Sequence, residues 1–150
     1  MINNKIILNT VTLSMQSKAE NVALARATVA FLAAQLNITV SQLEELKVAI
    51  SEAVSNAIIH GYQDRDNEQV NITAELLTDG IIVTIEDSGI GISDIAQAME
   101  PAFSTDPERM GLGFAFMKSF SDELEVESMP GQGTKIRLLK RVVAQDQTDI

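Results

Sequence analysis

The chain has 150 residues, 45% of them hydrophobic, and a net charge of −10 from 21 acidic and 11 basic side chains. That length and composition fit one domain with a real core, while the charge opposes non-specific binding to nucleic acid, which needs a basic face. With no cysteine and one histidine, disulfides, thiolate chemistry and a His-rich metal site are excluded.

No apolar run reaches the length of a membrane span, and "MINNKIILNT" lacks a signal peptide's charge-then-apolar layout. A cytoplasmic protein with no membrane partner is expected.

In chain order, Lys5–Leu13 alternates loosely and is rich in Ile, Val and Thr, which predicts a strand. Ser17 with Glu20 reads as a capping box opening a helix to about Leu36, with Val22, Ala25, Val29 and Leu32 on its apolar face. Ser41 with Glu44 reads as a second box, and that helix passes through Leu46, Ile50 and Ala53 until Gly61 stops it. Strands are expected over Gln69–Leu77 and Ile81–Glu86, joined by the turn signal "TDG". "DSGIGI" leaves the second strand, a short helix covers Asp94–Met99, and Pro101–Met110 reads as a loop. "GLGFAFMKSF" predicts a helix entered through glycines, and Glu123–Ser128, "PGQG" and Thr134–Arg141 predict a closing hairpin. This order implies an α/β two-layer sandwich, with helices on one face of a mixed, mostly antiparallel sheet. Residues 1–142 read as a single domain and 143–150 as a polar tail.

One helix carries more than a core needs. In "SEAVSNAIIHGY", Ser51–Tyr62, the residues Glu52, Asn56 and His60 follow one another at steps of four. An α-helix turns once in 3.6 residues, so each such step drifts only about 40° and the three share a stripe. A merely solvated face would more commonly carry Lys, Arg and several Glu.

The glycine segments each read two ways. "DSGIG" is a turn after a strand, or a strand-end carboxylate (Asp87) able to accept from an exocyclic amine, beside Gly89 and Gly91 that let a planar ring approach the backbone. "GLG", Gly111–Gly113, is a short glycine repeat or a helix N-terminus offering free amides to phosphate; it is neither a Walker loop nor a Rossmann fingerprint. "GQGT" is a hairpin turn whose Thr134 can add a hydroxyl to a site.

Taken together and in this order, the four segments resemble the Bergerat-fold ATPases, the class of histidine-kinase catalytic domains, gyrase, Hsp90 and MutL. "SEAVSNAIIHGY" resembles the N box, "DSGIGI" and "GLGF" the two glycine boxes, and "GQGT" the segment closing the pocket. Histidine kinases need a preceding helix with a phosphorylatable histidine, and gyrase-, MutL- and Hsp90-type proteins need transducer domains; 150 residues are expected to leave no room for either. A domain of this size is similar to the anti-sigma regulatory serine kinases. "ARATVAFLAAQL" followed by "SEAVSNAIIHGY" is closest to the anti-sigma-F family of endospore-forming bacteria, over roughly Met15–Val142.

The resemblance implies an ATP/ADP site with Mg²⁺, a homodimer, and two protein partners: a sporulation sigma factor held inactive, and an anti-anti-sigma antagonist phosphorylated on serine. Glu52 would be the general base and Asn56 the Mg²⁺ ligand; base catalysis is worth about 10²–10⁴-fold, leaving the larger share to positioning and the metal. Asp87 would read the adenine amine with Thr134 in support, and Gly89, Gly91, Gly111, Leu112 and Gly113 would line the nucleotide. His60 either contacts phosphate or merely suits a helix C-terminus. Ser104, Thr105 and Arg109 would belong to a lid over the phosphates, with a solvated loop arginine as the other reading of Arg109. Arg26 matches a family arginine at a partner contact, or else snorkels. The lid "FSTDPERMGLG" is shorter than the family pattern and has Asp106 where a lysine is common, which leaves a second expectation: a nucleotide-gated binding protein with little kinase activity, or a stress-response homologue.

Overall fold

A computed structural model describes residues 6–99 and 110–142. Five strands, β1 (Ile7–Gln16), β2 (Gln69–Leu77), β3 (Gly80–Asp87), β4 (Glu123–Met129) and β5 (Gly133–Arg141), form one sheet in the order β1-β2-β3-β5-β4. All four ladders are antiparallel, the limit of the mostly antiparallel sheet expected. The helices are α1 (Asn21–Ala33), α2 (Val40–Ser55), α3 (Ile95–Ala98) and α4 (Met110–Ser119); a π-helical turn, Asn56–Gly61, continues α2.

Alternation along the strands divides the sheet into two faces. Met15, Val70, Ile72, Val83, Ile85, Ile136 and Leu138 point to the helices and close one core with Val29, Leu46, Ile50, Val54, Phe114 and Met117. The opposite face is largely polar, with a small buried cluster of Leu77, Ile82 and Leu139. The helices therefore cover one side, as an amphipathic sheet requires.

Several local expectations give way to better-placed competitors. Ser17 does not cap α1: its hydroxyl donates to Arg65 O and accepts from Glu68 N–H, tying the end of β1 to the chain before β2. Glu20 occupies the N-cap position without a side-chain cap bond, and α1 ends at Ala33, earlier than Leu36. The second capping box is Thr39 with Gln42, because Thr39 is the residue in extended conformation, φ −76° and ψ 160°; its hydroxyl accepts from Gln42 N–H, and its backbone N–H donates to Gln42 Oε1. Ser41 therefore lies inside α2.

Gly61 does close the helical run, but not as a left-handed cap. The chain instead turns through positive φ at Gln63 (53°) and Asp64 (64°). Gly61 is needed for space: a Cβ there would lie 2.9 Å from Asp87 Oδ1.

Candidate functional site

The sheet contributes one row of polar side chains. Register pairs Asp87 of β3 with Thr134 of β5, and Thr134 with Ser128 of β4, so the three stand side by side on the helix-covered face. The next row inward, Ile85–Ile136–Val126, is apolar. Asp87 is 9% exposed and Thr134 5%. Asp87 Oδ1 accepts the Gly89 N–H at 2.8 Å, and the Thr134 amide also donates to the carboxylate. Burial outweighs those two bonds and pushes the Asp87 carboxyl above the usual carboxylate range. A half-dehydrated acceptor at a strand end suits a ligand bearing N–H donors.

The glycines around this row make room for the protein's own backbone. A Cβ on Gly89 would sit 2.0 Å from Gly61 O; on Gly91 (φ +78°), 2.0 Å from Met129 O; on Gly133 (φ +85°), 2.0 Å from Asp87 O. In the direction in which a Cβ would project, the space at Gly89 and Gly91 is taken by the protein's own backbone. Their smallness lets the turn after β3 dock on the end of the N-box helix, where Ile90 N–H donates to Gly61 O at 2.9 Å.

Two hydroxyls that motif reading passed over pin that turn. Tyr62, 2% exposed, donates to Gln69 O at 2.6 Å and accepts the Ser88 N–H at 2.7 Å. Ser128 accepts the Ile92 N–H at 2.7 Å. An aromatic directly after "HG", and a serine opposite a site threonine on the neighbouring strand, were the available signals.

The helical side of the site is the stripe. Glu52 is half-buried on α2, and a Cβ on Gly113 would lie 3.0 Å from its Oε1, so α4 makes room for this carboxylate by carrying glycine in its first turn. Asn56 is only 7% exposed, and its side-chain amide oxygen is a neutral, hard donor of the kind that suits a hard cation.

The stripe bends at this point. In the π-helical turn, where Tyr62 N–H reaches back to Ala57 O at 2.9 Å, a four-residue step falls short of a full turn, whereas in α-helix it overshoots. Half-buried His60 is therefore carried back rather than onward around the axis.

Arg26 reaches the stripe from α1. Its Nη1 donates to Ser51 Oγ at 3.0 Å, and Ser51 donates to Lys47 O at 2.8 Å, which holds the guanidinium one residue before Glu52. Gly111 is buried and Leu112 exposed in the opening turn of α4. Ser104, Thr105 and Arg109 lie outside the described residues. Among the described residues no three acidic or imidazole groups converge as a metal cage, and none of the helices is long and apolar enough to cross a membrane.

A cleft of about 300 Å³ also touches Asp87, Ser128 and Thr134. Its other liners include Glu86, Glu127 and Lys135, which form a cross-strand row on the face away from the helices. Its lining thus draws on both faces of the sheet and on the β4–β5 turn.

A Bergerat-type arrangement, with an N-box helix over the strand-end aspartate, defines the class, and the match to known proteins agrees. The model of the histidine kinase-like ATPase domain matches residues 15–140. An anti-sigma F factor of Clostridium beijerinckii is 46% identical over 135 residues, spanning 89% of this chain and 94% of that protein. One from a Thermoanaerobacter species is 46% identical over 138 residues, 89% of this chain and 94% of that one. The chain belongs to the anti-sigma F factor family within the histidine kinase-like ATPases.

Among solved structures, the RsbU and RsbW domains of a Mycobacterium tuberculosis protein superpose with a TM-score of 0.63 at 19% identity, covering 89% of this chain and 32% of that one. The histidine kinase domain of a blue-light activated kinase from Erythrobacter litoralis gives 0.55 at 18% identity, covering 83% and 60%. These two likenesses concern the fold.

Proposed function

We propose that this chain is a cytoplasmic, ATP-dependent serine protein kinase that is also an anti-sigma factor. It binds and inhibits a sporulation sigma factor and phosphorylates that factor's anti-anti-sigma antagonist on serine. The observation that carries the reading is a single helix serving two chemistries: α2 and its π turn set Glu52 against Gly113 at one end and Gly61 against Asp87 at the other. Its relatives named anti-sigma F factors support the choice of partners.

In this reading Asp87 accepts a hydrogen bond from the adenine amine, with Thr134 beside it. Asn56 holds Mg²⁺ through its amide oxygen, with His60, Gly111, Leu112 and Gly113 at the phosphates and Ser104, Thr105 and Arg109 closing over them. Bound Mg²⁺ supplies charge neutralisation along the phosphates. Glu52 takes the proton of the antagonist's serine hydroxyl as the serine oxygen bonds to the γ-phosphorus and the bond to the β–γ bridging oxygen breaks, releasing ADP. Arg26, held at Ser51, presents its charge to a protein partner near the base.

A homodimer is supported by one edge of the sheet. β1 is an outer strand without a charged residue from Ile7 to Gln16; Ile7 and Leu8 are exposed, and Phe31 of α1 nearby is 77% exposed. The opposite outer strand, β4, carries Glu123, Glu125 and Glu127, which discourage edge pairing. A second copy adding its β1 would cover the uncharged edge. Sedimentation should give a dimer that Thr12→Lys converts to monomer, and a wild-type monomer would refute the pairing.

The test of the main reading is transfer of label from γ-labelled Mg-ATP to the antagonist. Label on an antagonist serine, together with ATP-dependent retention of the sigma factor, is expected. Tight ATP binding with no label would leave a nucleotide-gated binding protein.

A further inference from the structure

Ser128 lies on β4, outside every recognised motif, yet its hydroxyl is fully used. It donates to Gly133 O at 2.9 Å and accepts the Ile92 N–H at 2.7 Å. It also lies 2.8 Å from Thr134 Oγ1. A hydroxyl has one proton and two lone pairs. With its proton on Gly133 O, Ser128 can meet Thr134 only as an acceptor, so the proton in that contact is Thr134's.

The consequence falls on the row that faces the helices. Thr134 has spent its proton sideways and can offer only lone pairs to a ligand. Asp87 beside it already receives the Gly89 and Thr134 amides and, as a carboxylate, has only acceptor capacity left. Two adjacent acceptors match a heterocycle that presents a donor, an exocyclic amine. They repel one that presents a carbonyl oxygen at the same position, and a buried unpaired acceptor costs more than a missing bond.

We propose that Ser128 is a specificity-determining positioning residue: by taking the Thr134 proton it makes the base pocket acceptor-only and so enforces choice of a 6-amino purine over a 6-oxo purine. The inference rests on the nucleotide reading of this site. Without the Ser128 hydroxyl, Thr134 can turn and donate, and a 6-oxo base becomes tolerable.

The test compares ATP with ITP by calorimetry for the wild type, Ser128→Ala and Ser128→Cys, whose thiol keeps the volume but is a weak donor and acceptor. The wild-type preference for ATP should shrink about tenfold in both variants, the equivalent of one net hydrogen bond, partly through a gain for ITP. Ser128→Thr, which keeps a hydroxyl, should restore the preference. A merely structural role would weaken both nucleotides alike and leave their ratio unchanged, and that result would overturn the proposal. A wild type that binds neither nucleotide would instead refute the nucleotide reading itself, and this inference with it.

Discussion

At the end proposed to read the base, the chain packs against itself: Gly61, Gly89, Gly91 and Gly133 each lack a side chain because another segment of the protein occupies that space. At the end proposed to hold the phosphates, Glu52 and His60 are half-buried and Asn56 is buried on one helix, and among the described glycines Gly113 makes way for Glu52. The first end is preorganised, so binding a flat base there costs little reordering. The second presents groups that, in the proposed reading, a bound nucleotide brings into use. Affinity should therefore live at one end and chemistry at the other.

The most forceful way to break this comparison is at the helix. Glu52→Gln should lower phosphoryl transfer by about 10²–10⁴-fold, the usual worth of a general base, while ATP affinity stays near wild type; a parallel loss of binding, measured by calorimetry, would merge the two ends. At the other end, Gly133→Ala should cost about 2–4 kcal/mol of stability, since it combines a strained φ of +85° with a 2.0 Å approach to Asp87 O. Denaturant unfolding would detect it, and an unchanged midpoint would mean that the turn yields easily.

Asp87→Asn should weaken ATP binding by roughly 10–100-fold, the loss of a hydrogen bond to a charged group. The same variant should also sharpen the contrast by stabilising the empty protein. Burial raises the folded-state pKa of Asp87 above its unfolded value of 3.8, so its favourable contribution is complete below that value and is lost as pH rises through the raised one. At neutral pH the wild type bears the cost of a buried charge, and asparagine removes it. A gain of about 0.5–1 kcal/mol at pH 7, vanishing toward pH 3, is expected in thermal melts. A loss at pH 7 would contradict the direction of the shift.

The sequence made the motifs legible because their order, more than any one of them, is informative. Strand boundaries for β2 came out as read, and β3 and the closing hairpin were off only at their ends. Capping was misread because Ser17, Thr39 and Ser41 all begin a plausible box. Which one caps depends on where the preceding backbone is extended, and on whether the hydroxyl is drawn elsewhere, as Ser17 is by residues 65–68. The π turn at Asn56–Gly61 leaves no mark in hydrophobic period.

The glycine pattern announced close approaches but could not say what approaches: Gly61 O and Met129 O stand where the side chains of residues 89 and 91 would project. The signals for Ser128 and Tyr62 carried little weight for a related reason, since their importance lies in hydrogen bonds between distant segments that the folded register reveals.

The most direct test of the division between the two ends measures ATP affinity and γ-phosphate transfer to the antagonist serine in the same preparations of wild type, Glu52→Gln and Asp87→Asn. The account predicts that Glu52→Gln binds ATP as the wild type does but transfers phosphate about 10²–10⁴-fold more slowly. Asp87→Asn should bind weakly yet transfer at a near-normal rate once saturated. Transfer at a near-wild-type rate in Glu52→Gln, or an Asp87→Asn enzyme that stays slow at saturating ATP, would contradict it.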